Sequence, residues 1–239
     1  MASLHPLRSR RLGVLVALLL VPTLAARAQA PARLDPARLV PHIDSLAAVA
    51  NGQRVGWWRY EITRLADGWR YEDRTQLGAR LDQRTTILLD GEGRIRSVEQ
   101  RARMGEDSLT ADAAWTDTRV TGESRTPGPT PHRTFDLPIT PATIDDNFLA
   151  AVLPTLDWAV GDTLVLEVMS TGQGTVTPMA LTVERGDTIE VDGRAVPVWV
   201  GTMTGGPLPV QYVVSRDRPR RVHRIAPIGS PLAFERVAG

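Results

Sequence analysis

Between Asp35 and Ala50 the apolar residues Leu39, Ile43, Leu46 and Ala50 recur at spacings of four, three and four. That spacing lays one stripe along a helix. Asp35 suits the N-cap, Pro36 suits the first helical position, and Asn51-Gly52 ends the stretch. From Arg54 the period becomes two. In WWRYEIT, Trp58, Tyr60 and Ile62 point one way, while Trp57, Arg59, Glu61 and Thr63 point the other. Ala66-Asp67-Gly68 and Asp90-Gly91-Glu92-Gly93 read as hairpin turns, because Asp-Gly tolerates positive φ. The meander continues to Val120, and the proline-rich residues 126–134 interrupt it as a loop or a boundary between two halves.

A second helix is predicted after that break. Thr143 and Asp146 form a variant of the capping box, Ile144, Phe148 and Val152 share a face, and Pro154 is the stop. The period of two then returns through Leu164–Val168, Met179–Val183, Ile189–Val191, Val196–Val200 and Val210–Val214, with a last strand near Leu232–Val237. The expected fold is mainly β with minor α: a curled antiparallel meander sheet, or half-barrel, packed with one or two helices. Several strands are apolar on both faces, as where Val165 and Met169 oppose Leu164. That implies a sheet covered on both sides, or one enclosing an apolar cavity.

The first 30 residues stand apart from this pattern. Arg8, Arg10 and Arg11 precede an apolar run from Leu12 to Ala26, and Ala28-Gln29-Ala30 fits a small-x-small cleavage site. This is the order of a secretory signal peptide, and the run is shorter than the about 20 residues a spanning helix needs. The expectation is a cleaved signal at 1–30, a single β-rich domain at 31–239, and a periplasmic or secreted location with no transmembrane span after processing. Removing the signal takes away four arginines and no acid, so the formal charge of +1 on the whole chain becomes slightly negative. Nucleic acid is therefore a poor partner, since a basic face dominates such binding. There is no Cys, which excludes disulfides, thiolate nucleophiles and Cys-ligated metals.

The run DDNFLAAVLPTLDWAVGDTLVLEV, followed by VERGDTIEVDGRAVPVWVGT and YVVSRDRPRRVHRI, resembles a periplasmic family of unknown function. Gly161-Asp162, Gly193, Val198 and Pro219-Arg220 carry the likeness, which covers roughly residues 55–226. The family is similar to the lipoprotein-carrier (Lol-type) half-barrels. The resemblance implies an incomplete antiparallel barrel wrapped over helices, with an apolar cavity.

Catalytic motifs are missing. There is no G-x-S-x-G, H-E-x-x-H or G-x-x-x-x-G-K-[ST] pattern, and His42, His132 and His223 are scattered over different elements. No enzyme activity, cofactor, catalytic residue or metal site is expected. Asp145-Asp146 reads as a pair stabilising a helix N-terminus. Two features could carry binding. The six tryptophans include Trp57, Trp58 and Trp199, able to line a pocket for a lipid or other hydrophobic ligand. Arg216, Arg218 and Arg220 could meet an anionic headgroup at its mouth, although Asp217 and Pro219 give that stretch turn chemistry and edge-strand charge. The expected function is binding of a hydrophobic ligand. The alternative is a ligand-free envelope structural or protein-interaction module, with no partner named by the sequence.

Overall fold

The computed structural model describes residues 31–128 and 132–237; the signal-peptide reading of residues 1–30 lies outside them. A single sheet holds fifteen strands. Its first meander is β1 His42–Ala50, β2 Gln53–Arg64, β3 Gly68–Leu77, β4 Leu81–Asp90, β5 Ile95–Met104, β6 Asp107–Trp115, β7 Arg119–Arg125 and β8 His132–Pro138. The second is β9 Ile144–Asp145, β10 Thr163–Ser170, β11 Thr175–Val191, β12 Arg194–Thr204, β13 Val210–Ser215, β14 Val222–Pro227 and β15 Leu232–Arg236. β15 returns to pair with β1, so the sheet runs from edge strand β8 through β1 and β15 to edge strand β9. All neighbours are antiparallel except the short β9–β10 pair.

The sheet curls but does not close. Its two edges, β8 and β9, are consecutive in the chain, and residues 139–143 step across the open seam. Individual contacts bridge that seam where a ladder would close a barrel. Thr140 N–H donates to Glu167 Oε1 at 3.2 Å, and the Arg133 guanidinium donates to Gln173 O. Gly174 is required here, because a Cβ at its φ of +62° would lie 2.8 Å from the Phe135 ring. The proline-rich stretch 126–134 joins β7 to β8, which pair as a hairpin, so the switch between meanders falls later, at 139–143.

The first predicted helix is a strand. Asp35 does cap as expected, accepting from Ala37 N–H, and Pro36 does open a turn, but only a 3-10 turn of three residues, Pro36–Arg38. From His42 the chain is β1, a central strand between β2 and β15. The stripe at spacings of four and three was a coincidence of composition: in LAAVA nearly every side chain is small and apolar, so helix and strand periods fit equally well. In the strand, Asp44, Leu46 and Ala48 turn inward and are buried, while Ile43 turns outward and is exposed.

The second predicted helix is present but shorter. A single α-helix, α1 Leu149–Val152, sits between 3-10 turns at Asp146–Phe148 and Leu153–Thr155. The expected cap at Thr143 is displaced: Asp145 is the cap, accepting from Asn147 N–H, while the Thr143 hydroxyl donates to Glu167. Phe148 through Leu153 are all buried. A helix apolar on every side belongs inside a core, and this segment threads the lumen of the curled sheet. The main core surrounds it, with Tyr60, Tyr71, Ile87, Val98, Leu166 and Leu181 from the inner face. Val198, Val200 and Val213 form a small second cluster on the outer face, which accounts for strands apolar on both sides.

Candidate ligand site in the lumen

One inward position on each of seven neighbouring strands builds a row that is polar at six of the seven, Ala111 being the exception. Asp44 on β1 is the cross-strand partner of Tyr60, Tyr60 of Asp73, Asp73 of Thr85, Thr85 of Gln100, Gln100 of Ala111 and Ala111 of Ser124. Directly opposed residues share a face, and every member of the row is buried. Polar groups in a lumen cost free energy unless partnered, so the partners of each decide what the row does.

The β1 end is neutralised. Asp44 accepts from the Tyr60 hydroxyl at 2.9 Å and meets Arg236 Nη2 at 2.6 Å, Arg221 Nε at 3.6 Å and His42 Nε2 at 3.5 Å. Burial holds the His42 imidazole below its ordinary range, and burial followed by the Arg236 charge does the same to His223. Arg221 and Arg236 therefore carry the positive charge around Asp44.

Asp73 has no such company. It is 4% exposed, and the Tyr71 hydroxyl donates to its Oδ2 at 3.2 Å, but Oδ1 finds no hydrogen-bond partner. Burial pushes its carboxyl up to about 7, the neighbouring Tyr71, Thr85 and Trp58 side chains hold it down, and the negative charge of Asp145 adds to the rise. Next along the row, Thr85 Oγ1 and Gln100 Oε1 are also buried without partners.

The segment crossing the lumen brings two more acids to this level. Asn147 Nδ2 donates to Asp145 Oδ1 and to Asp146 Oδ1, both at 2.8 Å, and its Oδ1 accepts from Gln83 at 3.1 Å and Gln100 at 3.4 Å. Thr171 donates to Asp145 Oδ2. Burial raises both carboxyls, that of Asp146 strongly, helped by the charge of Asp145. The pair does sit at a helix N-terminus, where Asp145 is the cap, but Asp145 is wholly buried and Asp146, half-buried, lines cavities.

Asp73 and Asp146 share a cavity of 220 Å³, together with Trp58, Tyr212, Ile225, Phe234, Leu149, Ala150, Thr75, Gln83 and Asn147. Asp146 is also part of the wall of a second cavity, of 330 Å³, lined by Val168, Ser170, Met179 and Pro207 among others. The second is within the about 300–1,000 Å³ usual for small-molecule sites. A larger recess, of 830 Å³, opens at the other end of the strands, beside the Gly91–Gly93 and Thr116–Asp117 turns. Its apolar floor of Ile95, Trp115, Ile144 and Phe148 is already packed with Leu34 of the N-terminal segment, and Arg94 at its rim is paired with Asp117 and Glu92. The 220 Å³ cavity has in its wall the buried carboxyl of Asp73, with Oδ1 unpartnered, and is the better candidate.

The sequence-predicted ligand residues divide among three places. Trp58 lines the acid cavity, tilted against Tyr60 at 5.4 Å and edge-on to Phe234 at 5.7 Å between ring centroids. Trp57, one residue earlier, is on the outer face, where Nε1 donates to Gln76 at 3.0 Å and Arg74 lies over the ring. Trp199, on β12, five strands along the sheet from Trp58 on β2, stacks on Trp158, with Arg220 4.6 Å and Arg216 5.4 Å from its centroid. Arg220 also donates to Leu156 O, and Arg218 is exposed in the turn. Arg221 turns to Asp44 and Arg224 to Glu235, so the arginines do not converge on one anion. Asp73, Asn147 and Gln100 were not singled out from the sequence. The available signal was the alternation Trp69, Tyr71, Asp73, Thr75, which puts an acid on an apolar face.

Among the described residues, no group of three or more His, Cys, Asp or Glu is placed to hold a metal ion, and no helix is long and apolar enough to cross a membrane. A comparison with curated proteins gave no match. Among solved structures, the chain is similar to a β-barrel-like protein of the domain of unknown function DUF1849 from Brucella abortus. That likeness has a TM-score of 0.54 at 14% identity and covers 84% of this chain and 96% of that one; at this identity it speaks for the fold alone. The model of a protein family of unknown function, DUF3108, matches residues 45–233, from within β1 into β15, and the chain therefore belongs to that family.

Proposed function

We propose that this chain is an exported half-barrel that binds a small apolar or amphipathic ligand in its lumen. The observation that carries the reading is the 220 Å³ cavity walled by Trp58, Tyr212, Ile225, Phe234 and Leu149, in which the Oδ1 of Asp73 has no partner. Natural cores seldom leave both space and a bare polar atom at one place; a ligand would fill the first and satisfy the second. Kinship with the lipoprotein-carrier half-barrels, a periplasmic location and a lipid as ligand belong to the same proposal. The test is native mass spectrometry of the chain from Pro31, purified from a periplasm without detergent. Adducts that organic solvent extracts are the expected result. A clean apo mass, with no uptake of a fluorescent fatty acid, would sink the reading in favour of a ligand-free envelope module.

A further inference from the structure

We infer that the lumenal ligand carries a primary ammonium group, seated between Asp73 and Asp146 with its apolar body against Trp58, Tyr212 and Phe234. The inference rests on the lumenal binding proposed above and adds the ligand's chemistry.

Charge balance around the cavity is its basis. Among the described residues no Arg or His lines it, and Asp73 and Asp146 are the only ionisable carboxyls in its wall; the chain has no Lys. Asp44, on the same inner face, shows how this protein surrounds a buried acid with counter-charge: Arg221, Arg236 and the Tyr60 hydroxyl all meet it. Asp73 lacks that treatment, with Oδ1 bare in a residue 4% exposed. A buried carboxylate needs an opposite charge and hydrogen-bond donors. A primary ammonium brings one positive charge and three donors in a compact group.

The walls suit such a ligand. Trp58, Tyr212 and Phe234 offer aromatic rings, which attract cations as well as apolar carbon. A divalent metal fits less well, because it needs more ligating groups than converge here. An anionic lipid headgroup would meet two acids and no base. The donors already present are committed elsewhere: Asn147 Nδ2 is used by Asp145 and Asp146, and Gln83 Nε2 by Asn147.

The test is calorimetric titration of the processed chain with n-octylamine, n-octanol and n-octanoate, repeated on Asp73→Asn, Asp146→Asn and Glu72→Gln. Glu72 neighbours Asp73 in sequence but pairs with Arg70 on the outer face, so its variant removes the same charge from outside the lumen. The expected result is octylamine binding about tenfold or more tightly than the other two, with the advantage lost in both Asn variants and kept in Glu72→Gln. Octanol binding as tightly as octylamine would overturn the ammonium inference while leaving the lumenal reading in place. Silence from all three ligands would overturn it together with that reading. Octylamine binding that survives both Asn variants, or weakens equally in Glu72→Gln, would be surface adsorption and would also overturn it.

Discussion

Replacing Asp73 with Asn should make the ligand-free protein more stable at pH 8 and leave it little changed at pH 4. Asn keeps the side chain's shape and never ionises. In the native protein, burial raises the Asp73 carboxyl from 3.8 to about 7. The native state therefore binds a proton that the unfolded chain releases between those values. Stability must fall as pH rises through that interval, and the loss is complete above about 7. A shift of about three units, at about 1.4 kcal/mol each, makes the loss roughly 4 kcal/mol. That is a large share of the 5–15 kcal/mol typical of a folded domain. The assay is urea unfolding of wild type and Asp73→Asn at steps from about pH 4 to pH 8, comparing the difference between the two at each pH. Asp145 and Asp146 titrate in both proteins, and because the Asp145 charge acts on Asp73 the difference reads the Asp73 titration together with that coupling. The difference should grow towards high pH, with the variant the more stable. A difference constant from pH 4 to pH 8 would refute the reasoning: Asp73 would then have an ordinary carboxyl in contact with water.

Other perturbations follow from the same geometry. Asp44→Ala leaves Arg221 and Arg236 without their shared acid and should cost about 3 kcal/mol in denaturant unfolding; Tyr60→Phe removes one hydrogen bond to it and should cost about 1 kcal/mol. Gly122→Ala would set a Cβ 2.3 Å from Asp112 O and 2.6 Å from the Phe135 ring, so a loss of about 1–3 kcal/mol should appear as a lower melting temperature. Arg220→Gln loses the cover on Trp199 and the bond to Leu156 O and should cost about 2 kcal/mol, whereas Arg218→Gln, in the exposed turn, should stay within about 0.5 kcal/mol. Ala150→Leu should fill part of the acid cavity and abolish ligand uptake in the mass-spectrometric assay, with the far-ultraviolet circular dichroism of the sheet retained.

Most strands were legible because their signal is local. Alternation in WWRYEIT, and the Asp-Gly turns between strands, depend on residues a few positions apart. The same locality explains the misreadings. In residues 39–50 the small apolar side chains satisfy both periods, and the choice fell to β2 and β15, which supply hydrogen-bond partners on either side of β1. Thr143 and Asp146 carry a capping pattern, but β9 pairs with β10 and moves the cap to Asp145.

The sequence by itself determined a mainly antiparallel β fold with minor α, and it determined that no cysteine chemistry holds it together. It also placed Trp58 and Trp57 on opposite faces, because adjacent strand residues always diverge. Only the tertiary structure decided which face is the lumen. It set Asp44, Tyr60, Asp73, Thr85 and Gln100 in one row through the register of four strand pairings, each between residues at least 12 positions apart. It also brought Asp145 and Asp146 to that row from the far side of the sheet. Burial and the absence of a counter-charge are properties of that assembly. They turn an ordinary acid in WRYED into the most reactive feature of the cavity, and a one-residue slip in register would have turned it out to water.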